Sequence, residues 1–322
     1  MGPSVLITGG AGFLGSHLAL ALLQRGDRVV IYDNLFTGLP EHLSPLQNNL
    51  KFVNGDILDL SLLIRTIMAE KVKRIIHTAA LVGFAPSIEK PALTARVNVE
   101  GTINILEASR IVGVDRILDI SSEEVYGSFH HEPADEDHPL SPIAPYSITK
   151  VSAERFEEFF YRLFGLDVVI VRTSWVYGLG LPRARPPKTF IENSLKGIPT
   201  EMSSGADQRV DHTYIDDFVQ GALLAFDAKN LKSRIFNIAS GKAYTFQEMA
   251  RMVEELIPGP KISVGPGLLK YSETVEGPQK GALNIQRAQS ELGYHPNYDL
   301  FPGLRKYAES LRASRGLSPW KK

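Results

Sequence analysis

The feature that most constrains this chain is a rhythm: short, nearly unbroken apolar runs alternate with helical patterns through its first half. Ser4-Val5-Leu6-Ile7-Thr8 reads as a buried strand. A glycine turn follows, and His17 to Arg25 reads as a helix stopped by Gly26. Arg28 to Tyr32, Leu50 to Val53, Arg74 to His77, Arg116 to Ile120 and Asp167 to Arg172 read as further strands. Helical patterns fall over Leu60 to Glu70, over Val97 to Ile111 and within Ala144 to Phe164. A strand that is apolar on both faces must be covered on both. Strand–helix alternation does this by crossovers that leave the strands parallel.

The expected fold is therefore α/β: a doubly wound parallel sheet of the Rossmann type over residues 1–177. After Gly178 the rhythm breaks. Pro182, Pro186 and Pro187 sit in a basic loop with Arg183, Arg185 and Lys188, followed by isolated helices and short strands such as Arg234 to Ile238. Residues 178–322 read as a smaller C-terminal α/β domain for substrate, with the chain interleaving between the two.

Composition narrows the class of function. With 322 residues, 43% hydrophobic and 22% charged, the chain is globular rather than disordered. Lys and Arg total 35 against 36 Asp and Glu, so there is no electrostatic footprint for nucleic acid or an anionic membrane. The absence of cysteine removes thiolate metal sites, disulfides and cysteine nucleophiles together. The longest apolar helical run, Leu18 to Leu23, is too short to cross a bilayer. Val5-Leu6-Ile7 lacks the basic stretch that would precede a signal peptide. A cytoplasmic protein is expected. The His/acid stretch from His130 to His138 is broken by Pro133 and lacks helical ligand spacing, so no metal is expected.

Two constellations carry chemistry. Thr8-Gly9-Gly10-Ala11-Gly12-Phe13-Leu14-Gly15 follows a strand and opens a helix, where glycines let the backbone approach a pyrophosphate at the helix N-terminus. Asp33 ends the next strand, 18 residues past Gly15. Its carboxylate accepts from a ribose 2′-hydroxyl and repels a 2′-phosphate, which favours NAD over NADP. In Tyr146-Ser147-Ile148-Thr149-Lys150, a spacing of four puts Tyr146 and Lys150 on one helix face. An adjacent ammonium favours the phenolate, so Tyr146 is a candidate base. Upstream, Ser121-Ser122-Glu123-Glu124-Val125-Tyr126-Gly127 places a hydroxyl at a strand end, beside that tyrosine.

In this order, with Asp33-Asn34-Leu35, Gly55-Asp56-Ile57, His77-Thr78-Ala79-Ala80, Asn98-Val99-Glu100-Gly101-Thr102 and Tyr214-Ile215-Asp216-Asp217, the whole chain resembles an extended short-chain dehydrogenase/reductase. The resemblance is to the NAD-dependent epimerase/dehydratase family, which acts on nucleotide sugars through a transient keto-sugar. It implies Ser122, Tyr146 and Lys150 as the catalytic triad, and a cofactor site drawn from Gly9, Gly12, Phe13, Leu14, Gly15, Asp33, Asn34, Asp56, Ile57, Ala79, Ala80 and Asn98. It further implies Ser87 on the substrate side, a nucleotide-sugar substrate, and a homodimer built on the helices around Asn98–Ala108 and Tyr146–Tyr161.

The outcome of the reaction stays open at this level. Ser122-Glu123-Glu124 resembles the 4,6-dehydratases, where two adjacent carboxylates act as acid and base; simple 4-epimerases generally have small or hydroxyl residues there. Epimerisation and Glu124-assisted dehydration or decarboxylation therefore compete. A net dehydrogenase on a non-nucleotide sugar and a non-catalytic NAD sensor are the remaining alternatives. The family's diphosphate-binding arginine falls on Val210, with Arg209 one place early, and a polar amide of the family is replaced by Trp175. A one-residue shift on a strand turns a side chain to the other face, so Arg183, Arg185 or Lys188 is the alternative source of positive charge.

Overall fold

The computed structural model describes residues 4–44, 50–273 and 275–316. Strands β1 (Ser4–Thr8), β2 (Arg28–Asp33), β3 (Leu50–Asn54), β4 (Val72–His77), β5 (Arg116–Ser122) and β6 (Val168–Thr173) alternate with helices α1 (Phe13–Gln24), α2 (Leu60–Ala69), α3 (Phe84–Glu89), α4 (Pro91–Ala95), α5 (Gly101–Val112) and α6 (Pro145–Phe164). Beyond them lie β7 (Trp175–Tyr177), α7 (Lys188–Leu195), β8 (Thr200–Met202), β9 (Arg209–Tyr214), α8 (Ile215–Asp227), β10 (Ile235–Ile238) and β11 (Ala243–Thr245). The chain continues through α9 (Phe246–Leu256), β12 (Ile262–Val264), α10 (Gln286–Leu292) and α11 (Leu300–Ser314).

Seven parallel strands form one sheet in the order β10-β6-β5-β4-β1-β2-β3. One apolar core joins α1 and α8 to one face, and a second joins α2, α5 and α6 to the other. This is the doubly wound α/β fold expected from the apolar strands. The strand order reverses between β1 and β4, and that switch point is where such sheets open a ligand crevice. Strand β10 comes from the second half of the chain and lies against β6. A smaller sheet, β11-β9-β7, and the β8–β12 pair flank the main one.

Two helix starts lie four residues from those the sequence pattern gives. Helix α1 starts at Phe13 rather than His17, because Gly15 packs where the helix crosses the glycine turn. A π turn over 96–100 precedes α5, so the helix expected from Val97 begins regularly only at Gly101. Such a turn inserts an extra residue into the ladder.

Helix α6 is the element that positions chemistry. Pro145 occupies its first turn, the Ser147 hydroxyl meets the Ala144 backbone, and Gly165 closes it in the left-handed conformation. Its inner face buries Tyr146, Lys150, Glu154 and Glu157. Glu154 is matched by Arg172 of β6, whose guanidinium donates to both carboxylate oxygens at 3.1 and 2.7 Å. Arg172 also donates to the Tyr126 hydroxyl and to Glu136 O. Breaking a buried pair leaves an uncompensated charge, which costs about 3–5 kcal/mol. Arg172→Met is expected to lose stability on that scale in denaturant unfolding, and Arg172→Met/Glu154→Leu to recover part of it.

Candidate active site

At the switch point the backbone is packed too tightly for side chains. Gly9 has φ +69°, and a Cβ there would lie 2.7 Å from Ala79 N. A Cβ on Gly15 would collide with Gly9 O, and Gly12 begins α1 without a side-chain cap. The result is a bare cradle at a helix N-terminus, with Phe13 and Leu14 half-buried on the first turn. Asp33 is buried at the end of β2; its carboxylate accepts from Ala11 N at 3.0 Å and Leu35 N at 2.8 Å. Next to it, Asn34 donates to Asp56 at 3.0 Å, and Ile57 is buried against Gly101. Ala79 and Ala80 leave β4 along the same crevice, half exposed. Asn98, within the π turn, holds this loop: its amide accepts from Leu81 N and donates to Leu81 O and to Thr149 of α6. This arrangement fits a dinucleotide, with the pyrophosphate over the glycines and a ribose on Asp33.

Beside the crevice lie Ser122, Tyr146 and Lys150. Ser122 ends β5, and its Oγ accepts from Glu124 N at 3.2 Å, capping the short helical turn over 123–126. Tyr146 is buried; burial raises its phenol above the ordinary value and Glu124 adds to that, while Lys150, Ser122 and Arg183 pull it down. Lys150 donates to Ile120 O at 2.6 Å and lies 3.7 Å from Asp119. Burial acts against its ammonium, but Asp119, Tyr146, Glu157 and Glu154 outweigh burial and hold its pKa above the usual lysine value.

The two glutamates are not free. Lys280, from the loop before α10, reaches both, at 2.9 Å to Glu123 and 2.5 Å to Glu124. Glu123 also accepts from Ser174 Oγ at 2.7 Å, and burial raises its pKa. Lys280 is itself buried and its ammonium is held above the usual value by the two carboxylates, against the effect of burial. Nearby, Trp175 pairs in register with His212 on β9 and carries the Arg185 guanidinium 4.5 Å above its ring. Arg183 rests on Gly83, where any Cβ would strike its guanidinium. Burial and the neighbouring Arg183 lower the Arg185 pKa to about 10. Among the described residues neither arginine has an ion-pair partner, so the pair favours an anion.

Ser87 is buried and its hydroxyl donates to Phe84 O within its own helix. Arg209 pairs with Glu132 at 2.8 Å and lies on the strand face opposite Val210 and His212. The structure therefore does not bring Arg209 to Trp175, and the family position at Val210 is wholly buried. Lys280 lies 156 residues beyond Glu124. No local spacing links it to the glutamates, so sequence reasoning missed it.

The NAD-dependent epimerase/dehydratase family model matches residues 5–239. A putative UDP-glucose 4-epimerase from Methanocaldococcus jannaschii is 34% identical over 318 residues, covering 96% of this chain and 98% of that protein. A UDP-glucose 4-epimerase from Thermotoga maritima, solved with UDP-glucose, aligns at a TM-score of 0.85 with 30% identity, over 97% of this chain and 99% of that one. A dTDP-glucose 4,6-dehydratase from Streptomyces venezuelae, solved with NAD, aligns at 0.86 with 28% identity, over 97% and 98%.

The geometry around Lys280 generates a pH-dependent expectation. Lys280→Met leaves two adjacent buried carboxyl groups without their cation, and a buried carboxylate of this kind costs about 3–5 kcal/mol. The penalty is absent where both are protonated, below the ordinary carboxyl range, and grows as pH rises through and above it. Denaturant unfolding should therefore show wild type and variant converging near pH 4 and diverging by pH 8.

Proposed function

The chain belongs to the NAD-dependent epimerase/dehydratase family, and from that premise we propose that it is a nucleotide-sugar 4-epimerase. It works with NAD on a nucleotide sugar through a transient keto-sugar. NAD, when bound, supplies the acceptor for the hydrogen on the carbon that bears the reacting hydroxyl. The chain's own residues handle the proton and the substrate. Tyr146 takes the hydroxyl proton and returns it; Lys150 favours the phenolate; Ser122 holds the substrate oxygen. Arg183 and Arg185 take the anionic diphosphate, and Trp175 forms the adjoining wall.

One observation carries epimerisation over elimination: Lys280 engages both Glu123 and Glu124. Elimination of water requires a free carboxylate to take the proton from the carbon made acidic by the ketone. Glu124, tied to an ammonium at 2.5 Å, is a poor candidate for that role. Inverting one centre through the ketone needs no such base, because the tyrosine alone moves the proton in both directions. A UDP-hexose is the substrate class that the relatives' names favour.

A homodimer accompanies this reading. Helix α6 exposes Ile148, Phe156, Phe159 and Leu163 along one stripe, and Ile111 on α5 is exposed as well. Their spacing suits a helix-on-helix interface. Among the described residues no helix is long and apolar enough to cross a membrane.

Tyr146→Phe is expected to bind NAD as the wild type does, in calorimetry, and to lose about 10²–10⁴-fold in turnover with UDP-glucose or UDP-galactose. Near wild-type turnover would remove Tyr146 as the base. Glu124→Gln separates the two outcomes. Epimerisation predicts a loss below ~10-fold, with a product of unchanged mass. A loss of ~10²–10⁴-fold, with a wild-type product lighter by water from a UDP-hexose or by carbon dioxide from a UDP-uronate, would instead establish elimination or decarboxylation.

A further inference from the structure

The face of α6 that carries Tyr146 and Lys150 continues into Glu154 and Glu157, and all four side chains are buried. Glu154 is fully engaged by Arg172 and by the Ser121 hydroxyl. Glu157 is not: its Oε2 has no hydrogen-bond partner among the described residues, and neither oxygen of Asp119 on β5 has one. Asp119 Oδ2 stands 3.7 Å from Lys150 Nζ, with the two side chains 1% and 5% exposed. The groups around the ammonium are thus Asp119 from β5, Tyr146, Glu154 and Glu157 from its own helix, and His77 from β4. The His77 ring lies between the Thr8 and Thr102 hydroxyls, and burial lowers its pKa to about 3, so it is neutral. Arg172 of β6 is tied to Glu154.

Charge then has to be counted. Among the described residues, Asp119 ion-pairs only with Lys150, and Lys150 is the one cation that acts on Glu157. Two ionised carboxylates at this depth would be far more costly than one, so one of them carries a proton. Burial raises both, and Asp119 adds to the rise at Glu157, while the Lys150 ammonium favours the charged form of each. Asp119 is the one of the two that pairs with Lys150, at 3.7 Å, so the charge belongs there and the proton on Glu157.

We propose that Asp119 and Glu157 are positioning residues that share a single negative charge and together keep Lys150 charged behind Tyr146. Either carboxyl can carry the charge when the other is removed. The catalytic consequence rests on the reading of Tyr146 as the base, but the state of Lys150 can be read without turnover.

The test uses the NAD-loaded protein and three variants: Asp119→Asn, Glu157→Gln and the two combined. Lysine ¹³C and ¹⁵N NMR follows the titration of Lys150, its signal assigned by its loss in Lys150→Met. Wild type and both single variants should keep Lys150 charged at pH 10. The double variant should titrate at least about one unit lower than either single, because the one carboxylate left beside Lys150 is then Glu154, whose charge is tied to Arg172. Turnover at pH 9 should fall less than ~3-fold in the singles and ~10-fold or more in the double, the non-additivity expected of groups that act as a unit. If Asp119→Asn alone neutralises Lys150, or if the double variant leaves it charged, the shared-charge pair is wrong. Should the amide double variant fail to fold, Asp119→Leu/Glu157→Leu removes the polar groups as well as the charge, and the same two readings apply. Activity in Tyr146→Phe would sink the base assignment and leave the Lys150 titrations of the carboxyl variants standing as a separate result.

Discussion

A helix that buries a stripe of ionisable side chains needs partners for them in the layer beneath, and α6 finds most of its partners on the sheet. Tyr146, Lys150, Glu154 and Glu157 all point inward. The sheet answers them with Ile120 O and Asp119 from β5 and with Arg172 from β6. An apolar helix face can slide against a sheet by fractions of a turn; one locked by a bidentate arginine and an ammonium–carbonyl bond cannot. The phenol of Tyr146 is thereby fixed at the mouth of the crevice whose floor is the glycine cradle. Position comes from charges that do no chemistry themselves.

The second half of the chain completes the site by the same logic. Strand β10 extends the main sheet beside β6, so the segments that follow start from the sheet's own frame. Lys280 enters from there and lies between two glutamates carried by the first half. One ammonium from the end of the chain thus holds two carboxyl groups from its first half in place. Among the described residues Arg183 and Arg185 have no ion-pair partner, so they favour an anion, whereas Glu123 and Glu124 are tied to Lys280.

The parts that were legible in the sequence share a physical reason. Strands β1 to β6 are nearly continuous apolar runs, and the glycine turn and Asp33 are held by local constraints: close backbone approach and the end of a strand. Tyr146 and Lys150 show through the helical period. What stayed hidden was held by distance or by mixed polarity. Strand β9, Arg-Val-Asp-His-Thr-Tyr, lacks a clean apolar alternation because it buries polar residues such as Asp211, which accepts from Ser240 and Leu283. Helices α3 and α4 are only six and five residues long, too short for periodicity to register. Asp119 reads as an oddity within an apolar strand until α6 supplies the ammonium opposite it. Lys280 carries no signal at all before folding brings it to Glu123 and Glu124.

The chemistry proposed for this site moves a single proton, between the substrate hydroxyl and Tyr146, and lets no carboxylate abstract one from carbon. Running the reaction on a UDP-hexose in deuterium oxide, with every ring position followed by NMR, puts both statements to the test at once. A C4 epimer with no deuterium on any carbon is the expected product. Deuterium at C5, or a product that has lost water, would show a carboxylate acting as a carbon base and would contradict the mechanism.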